Sequence, residues 1–505
     1  MTTLSPHPID MPPRVRRHDL TYPILCRNSI GTAIIVFSLG CGGSDPTTPP
    51  VTTKLAFTTQ PTVAAAGAAI TPTVQVTIQD PQGNTMAGAN TRVTIEFAAD
   101  VVNATLLGTK SVNAVGGVAT FADLAVDVRG AGYRLNATAP GSERATSDPF
   151  SVFLAFDVVS AGVAHTCAIA AAHTYCWGVN ELGQAGDGST TWELLLFPKL
   201  TSGGHAFAAV DAGRSHTCAL EATGSAYCWG ANGYGQLGDG TGSTRFSPTP
   251  VIGGITFASI SVGDSHTCGL TPAGAAYCWG ANSRGALGDG TTTTRLSPVA
   301  VAGGLSFKVI SAGITHTCAI TTALVAYCWG ENYAGALGDG TETNSSTPAQ
   351  VSGGVSFVGI SAGQWYTCAT TATGAAYCWG ANFAGYLGDG TTFIRTTPTP
   401  VAGGIAFSWI GVSYGHTCGL TSSGAAYCWG ENGSGQLGDG AQSSPKLVPT
   451  PVSGGLSFRS LSIGQSFTCG VTTASEAYCW GSNEAGVFGD GTQFNVSLTP
   501  KRAGL

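Results

Sequence analysis

The sequence predicts an all-β protein, a β-sandwich followed by a seven-bladed β-propeller, and three observations predict it. Glycine supplies 73 of 505 residues, about twice its usual share, which suits tight turns between short strands. Residues 154–505 repeat one unit seven times with a period of 50 or 51, marked by Phe156, Phe207, Phe257, Phe307, Phe357, Phe407 and Phe458. A period of that length signals a solenoid or a propeller, and four short strands fit on each unit. Residues 54–153 instead alternate apolar and polar side chains, the pattern of half-buried strands. Composition also excludes whole classes. With 43% apolar and 10% charged residues the chain is no disordered polymer. Its 21 basic against 28 acidic residues leave no footprint for nucleic acid.

The N-terminus reads as an export signal over residues 1–41, starting at Met1 or Met11. Arg14, Arg16, Arg17 and Arg27 precede an apolar run from Ile30 to Leu39, and Gly40-Cys41-Gly42-Gly43 follows. Ten such residues are too few to span a bilayer but suit the core of a signal peptide. Gly40-Cys41 resembles the end of a lipobox, with Ser38 where leucine is usual, so Cys41 is the expected lipidation site. Simple cleavage at the signal is the alternative. The expected location is the outer membrane or cell surface as a lipoprotein, otherwise the periplasm or the medium. Residues 42–53 form a Thr/Pro-rich linker, extended by its prolines.

In residues 54–153 the segments Val74–Ile78 and Val93–Phe97 each put apolar side chains on one face, with turn chemistry at Asp80–Asn84 between them. Further strands are expected at Gly117–Phe121, Leu124–Val128 and Tyr133–Ala137. About seven strands in 100 residues fit a sandwich. Through Gln79-Asp80, Gly83-Asn84, Gly117–Phe121 and Gly132-Tyr133 the stretch resembles the immunoglobulin-like domains of bacterial surface proteins. That resemblance implies a spacer or an adhesive module.

Fourteen cysteines fall in the repeats as evenly spaced pairs. The pairs are Cys167 with Cys176, Cys218 with Cys228, Cys268 with Cys278, Cys318 with Cys328, Cys368 with Cys378, Cys418 with Cys428, and Cys469 with Cys479. Zinc knuckles separate cysteines by two to four residues, whereas eight or nine intervene here. Disulfides in an oxidising compartment are therefore expected. Cys218 and Cys228 are symmetric about Thr223, so a hairpin there sets them opposite one another, with Cα atoms about 4.5–5.5 Å apart. Unit one is a residue shorter and keeps this register if Ala171-Ala172 makes a two-residue turn. Ring closure is expected to bring Pro500–Leu505 beside Ser151–Val159, which removes exposed sheet edges.

The unit resembles the repeat of the regulator of chromosome condensation family, in its Ala-Gly-x-x-His and Tyr-x-Trp-Gly segments and in Asn-x-x-Gly-Gln-Leu-Gly at Asn232–Gly238 and Asn432–Gly438. The paired cysteines suit an exported bacterial member. The family's eukaryotic founder is a nucleotide-exchange factor that uses a wedge between blades. No unit here carries an insertion long enough for one. Secreted bacterial members include a proteinaceous β-lactamase inhibitor, so the resemblance implies a protein-binding propeller.

Up-and-down strands place the Ala-Gly-x-x-His and Asn-x-x-Gly loops on one face, where the units differ most. That face is expected to present Arg214, Tyr234, Asp264, Arg284, Tyr333, Trp365, Phe383, Tyr386 and Tyr414. Aromatics and arginines anchor interfaces. Five units carry a histidine two residues before the cysteine, namely His165, His216, His266, His316 and His416, with Tyr366 and Phe467 in the others. Aromatic replacement argues for packing rather than metal. The aspartates of the Gly-Asp-Gly turns offer one carboxylate each, too few for calcium, and read as Asx-turns. Asp187–Trp192 resembles a sialidase Asp-box only weakly, because Ser189 replaces its glycine. The seven tryptophans at Trp177, Trp229, Trp279, Trp329, Trp379, Trp429 and Trp480 are framework, one per blade. No catalytic motif, cofactor site or metal site is expected. The function expected is non-enzymatic and extracytoplasmic: a monomer whose propeller face binds a protein partner. The alternatives are binding of cell-wall or extracellular glycan, a hydrolase with a site assembled across blades, and, from the family alone, nucleotide exchange.

Overall fold

Seven consecutive four-stranded sheets follow one another from Val158 to Arg502, each antiparallel and built from one unit of the repeat. The computed structural model describes residues 53–99, 104–189 and 194–504. The export signal, Cys41, most of the linker and Trp192 lie outside the described residues. In each blade the strands run outward in chain order, as in Phe207–Ala212, His216–Glu221, Ala226–Gly230 and Arg245–Pro250. The loops after the first and third strands therefore share one face.

The hairpin between the second and third strands carries the cysteines, and the two of each pair stand directly opposite one another. Cys167 faces Cys176, Cys218 faces Cys228, Cys268 faces Cys278 and Cys318 faces Cys328. In the last three blades Cys368 faces Cys378, Cys418 faces Cys428 and Cys469 faces Cys479. All seven pairs are disulfides. Their Cα separations are 4.0–4.1 Å, closer than the spacing of about 4.5–5.5 Å expected from strand pairing alone. In blade one the turn is Ala171-Ala172, both in the left-handed region at φ 48° and 63°. A Cβ there meets the following carbonyl, a cost of about 1–2 kcal/mol per residue. Exchanging Ala171-Ala172 for Asn-Gly is accordingly expected to stabilise the chain by about 1–2 kcal/mol. Denaturant unfolding checks this, and an unchanged or lower midpoint would show that the turn is not the strained element.

Ring closure uses no shared strand. Blades one and seven are each contiguous in sequence, and the seam between them is side-chain packing plus hydrogen bonds. Phe156 and Ala503 join one buried cluster with Trp177, Phe467 and Phe488. The Trp177 indole donates to the Val487 carbonyl at 2.6 Å, and the Ala161 N–H donates to Ser462 Oγ at 2.8 Å.

The preceding domain holds thirteen short strands rather than about seven. Two four-stranded sheets share one core, with Leu55, Val76 and Ile78 from one and Val93, Ile95 and Leu135 from the other. The expected strand Tyr133–Ala137 is two strands, Gly130–Tyr133 and Leu135–Thr138. Tyr133 pairs with Phe150 in one sheet and Leu135 with Phe97 in another, so the chain changes sheets at Arg134. Only Ala125–Val126 of the expected Leu124–Val128 is paired. This domain touches the outer strands of blades one and seven. Arg129 donates to the Pro198 carbonyl at 3.1 Å, and the Arg502 guanidinium lies 3.9 Å over the Phe153 ring.

Candidate functional site

A seven-fold seam positions everything on the loop face. Six of the seven framework tryptophans donate their indole N–H to a carbonyl of the neighbouring blade, as Trp229 does to Gln184 at 2.9 Å. Thr217 Oγ1 donates to that same carbonyl at 2.9 Å. With its proton spent there, the Thr217 hydroxyl accepts from His165 Nε2 at 2.8 Å. The histidine is therefore the Nε2–H tautomer, leaving Nδ1 bare. His216, His266, His316 and His416 repeat the contact with Thr267, Thr317, Thr367 and Thr468 at 2.9 Å. All five rings are buried. Burial lowers their pKa to about 4 at His165 and His266 and to about 3 at His216, His316 and His416. They are struts between blades. Among the described residues no three His, Cys, Asp or Glu side chains converge as metal ligands.

The Gly-Asp-Gly aspartates are also structural. Asp239 Oδ1 accepts the Thr241 N–H at 2.9 Å, an Asx-turn, and Oδ2 accepts from Arg245 Nε at 2.7 Å. The basic partner on the outer strand recurs for six of the seven aspartates, Asp339 being the exception. Sequence reasoning missed that partner, although a Lys or Arg stands six to twelve residues after each of those six.

The innermost strands of all seven blades line an open-mouthed cavity of about 210 Å³ on the axis. A ring of serines runs beside it, and four of them, Ser261, Ser311, Ser361 and Ser462, stand in its wall. Ser160, Ser261, Ser311, Ser361 and Ser462 each accept one backbone N–H from the next blade at 2.8–3.1 Å. Two blades break the ring. Blade two has Asp211, whose Oδ2 accepts the Val262 N–H at 2.8 Å and whose Oδ1 accepts from Ser160 Oγ at 3.1 Å. Blade six has Gly411, and the Trp409 indole covers it so closely that a Cβ there would collide with the ring. Enclosure raises the Asp211 carboxyl to about 6. Neither residue was anticipated. The exception to the serine column was legible at Asp211.

Tyr414 of blade six reaches Asp264 of blade three, its hydroxyl donating to Oδ1 at 2.9 Å. Burial and the Asp264 carboxylate raise the phenol's pKa, which keeps it a donor. Arg214 Nη1 donates to the same oxygen at 3.4 Å. These three, from blades two, three and six, line the cavity together.

Further out the face is apolar at blades four and five. Tyr333 and Phe383 are each 51% exposed, Phe393 is 69% exposed and Ile394 lies beside it. The Tyr333 ring meets Trp365 edge-on at 5.2 Å. Tyr234 stands exposed on blade two, and Arg284 pairs with Glu331 at 3.5 Å. One expected face residue is elsewhere. Tyr386 is 8% exposed, stacked on Tyr366 at 5.3 Å with its hydroxyl donating to Glu431 at 3.0 Å. It occupies the position whose carbonyl receives the next blade's tryptophan, held elsewhere by Gln236, Ala286 and Ala336. That position points inward in every blade.

Known proteins resemble the propeller in sequence and in fold. The RCC1-like domain matches residues 254–504, and the regulator of chromosome condensation (RCC1) repeat matches residues 207–236 and 223–270. The ultraviolet-B receptor UVR8 of Arabidopsis thaliana is 33% identical over 96 residues, which is 19% of this chain and 22% of that protein. The chain thus spans about a fifth of that relative's length. Human WBSCR16 superposes with a TM-score of 0.60 at 18% identity, over 66% of this chain and 95% of that one. Yeast RCC1 (Prp20), in its complex with Kap60, superposes with a TM-score of 0.59 at 18% identity, over 69% and 85%. These structural likenesses concern the fold.

Proposed function

The chain carries the regulator of chromosome condensation repeat in an RCC1-like propeller, and from that premise we propose a non-enzymatic scaffold that binds a protein partner outside the cytoplasm. The single observation behind the partner is the apolar cluster on the loops of blades four and five. The residue after the loop asparagine is Glu181, Gly233, Ser283, Gly433 or Glu484 in five blades, but Tyr333 and Phe383 in these two. Half-exposed Tyr333 against Trp365, with Phe383 in the corresponding loop of the next blade, supplies apolar area at small entropic cost, which is how interface anchors work. The seven disulfides and the apolar segment before Cys41 support export, with Cys41 as a lipid anchor. The two-sheet domain before the propeller then acts as an immunoglobulin-like spacer.

The partner is sought by cross-linking the intact chain to extracytoplasmic protein from its own cell. Tyr333→Ser with Phe383→Ser is expected to reduce capture about thirtyfold, the equivalent of about 2 kcal/mol lost at an anchor. Capture unchanged in this variant would remove the aromatic face from the function. Binding to a glycan array in place of any protein would replace the partner class.

A further inference from the structure

We propose that the axial cavity is a binding site for a small organic ammonium ion, seated between the Asp211 carboxylate and the Trp409 indole. This site is separate from the outer aromatic face and does not depend on it. Serine at the Asp211 position suffices for the fold, because five other blades join their neighbours through one serine hydroxyl there. Asp211 makes the same backbone contact and adds a charge that the seam does not use. Its two hydrogen-bond donors are a backbone amide and a serine hydroxyl, both neutral, and it forms no ion pair among the described residues. Asp211 as a residue is half-buried, and it is part of the cavity wall.

The remaining charges around the cavity cancel. Arg214 is matched by Asp264, which also takes the Tyr414 hydroxyl. Asp211 is left as the unmatched charge, and its complement is a cation. The opposite wall supplies the second half of the recognition. Trp409, in the blade that lacks the serine, is half-buried against the core it shares with Phe458 and Trp480, and it lines the same cavity. An indole and a carboxylate on one cavity select an alkylated ammonium over a strongly hydrated metal ion. About 210 Å³ is room enough for a quaternary ammonium group.

Isothermal titration of the full chain with choline chloride tests the site. Choline is expected to bind one per chain, and its neutral isostere, with carbon in place of nitrogen, about tenfold or more weaker. Asp211→Ser installs the residue found at this position in five other blades, so the fold is expected to hold, while choline affinity drops about tenfold or more. Trp409→Leu should weaken choline as well, and its thermal unfolding reports separately whether the seam at Gly411 survives. No binding of choline, equal binding of the neutral isostere, or undiminished binding by the Asp211→Ser variant would each overturn the proposal. Displacement of choline by potassium at similar concentration would also overturn it, in favour of an inorganic cation site.

Discussion

Acidification from pH 7 to pH 5 is expected to remove most of the propeller's stability. Five buried histidines are held neutral, with pKa values of about 3 or about 4, whereas in the unfolded chain each titrates near 6.5. Between those values the unfolded state binds protons that the native state refuses. Stability contributed by the ring is therefore complete above about pH 6.5 and lost as pH falls. Asp211 works in the opposite sense. Its carboxyl is raised to about 6, so the native state gains one proton between about pH 6 and pH 4 and offsets one of the five. Near pH 5 about four net protons remain, which costs roughly 5 kcal/mol per pH unit. A series of denaturant midpoints between pH 7 and pH 4.5 measures the slope. His416→Phe copies the arrangement at Phe467 in blade seven and should reduce the slope by about one proton's worth. A flat profile would mean that the buried rings take up protons in place, and that the neutral Nε2–H tautomer is not what joins the blades.

Reduction of the disulfides is the second large effect. Each bridge closes a hairpin of nine or ten residues, worth about 2–3 kcal/mol on the chain-entropy account. Seven of them sum to roughly 15–20 kcal/mol, beyond the roughly 5–15 kcal/mol by which domains are ordinarily stable. All fourteen cysteines, from Cys167 and Cys176 in blade one to Cys469 and Cys479 in blade seven, have zero exposure, so a mild reductant alone is expected to leave the native bridges intact. Reductant with denaturant should convert the chain to a form that does not regain cooperative unfolding until it is reoxidised. Alkylation mapping before reduction should find seven bridges and no free thiol among the propeller cysteines. Free thiols in the folded chain, or a reduced propeller with an unchanged midpoint, would defeat both the assignment and the oxidising compartment inferred from it.

Much of the propeller was written locally. The ten-residue spacing of Cys218 and Cys228 determines a hairpin register, because antiparallel pairing makes residues equidistant from a turn face each other. Seven units and an aromatic histidine position were enough to read closed blades and packed rings, since both depend on periodicity alone. The shorter turn of unit one likewise announced its own geometry at Ala171-Ala172. In the first domain the alternation located strands but not sheets. A period of two is the same whichever sheet a strand joins, so the switch between Tyr133 and Leu135 left no local trace. The loop face divided in the same way. Tyr333 and Phe383 were legible as exceptions within a column of small or acidic residues, whereas Tyr386 shares its position with residues that point inward. Only the closed ring brought Tyr414 to Asp264, 150 residues away, and set Asp211 and Trp409 on one cavity. Contacts across the axis join blades that share no strand pairing. Periodicity along the chain determined each blade, and which side chains meet on the axis was decided by the number of blades and the curvature that closes them.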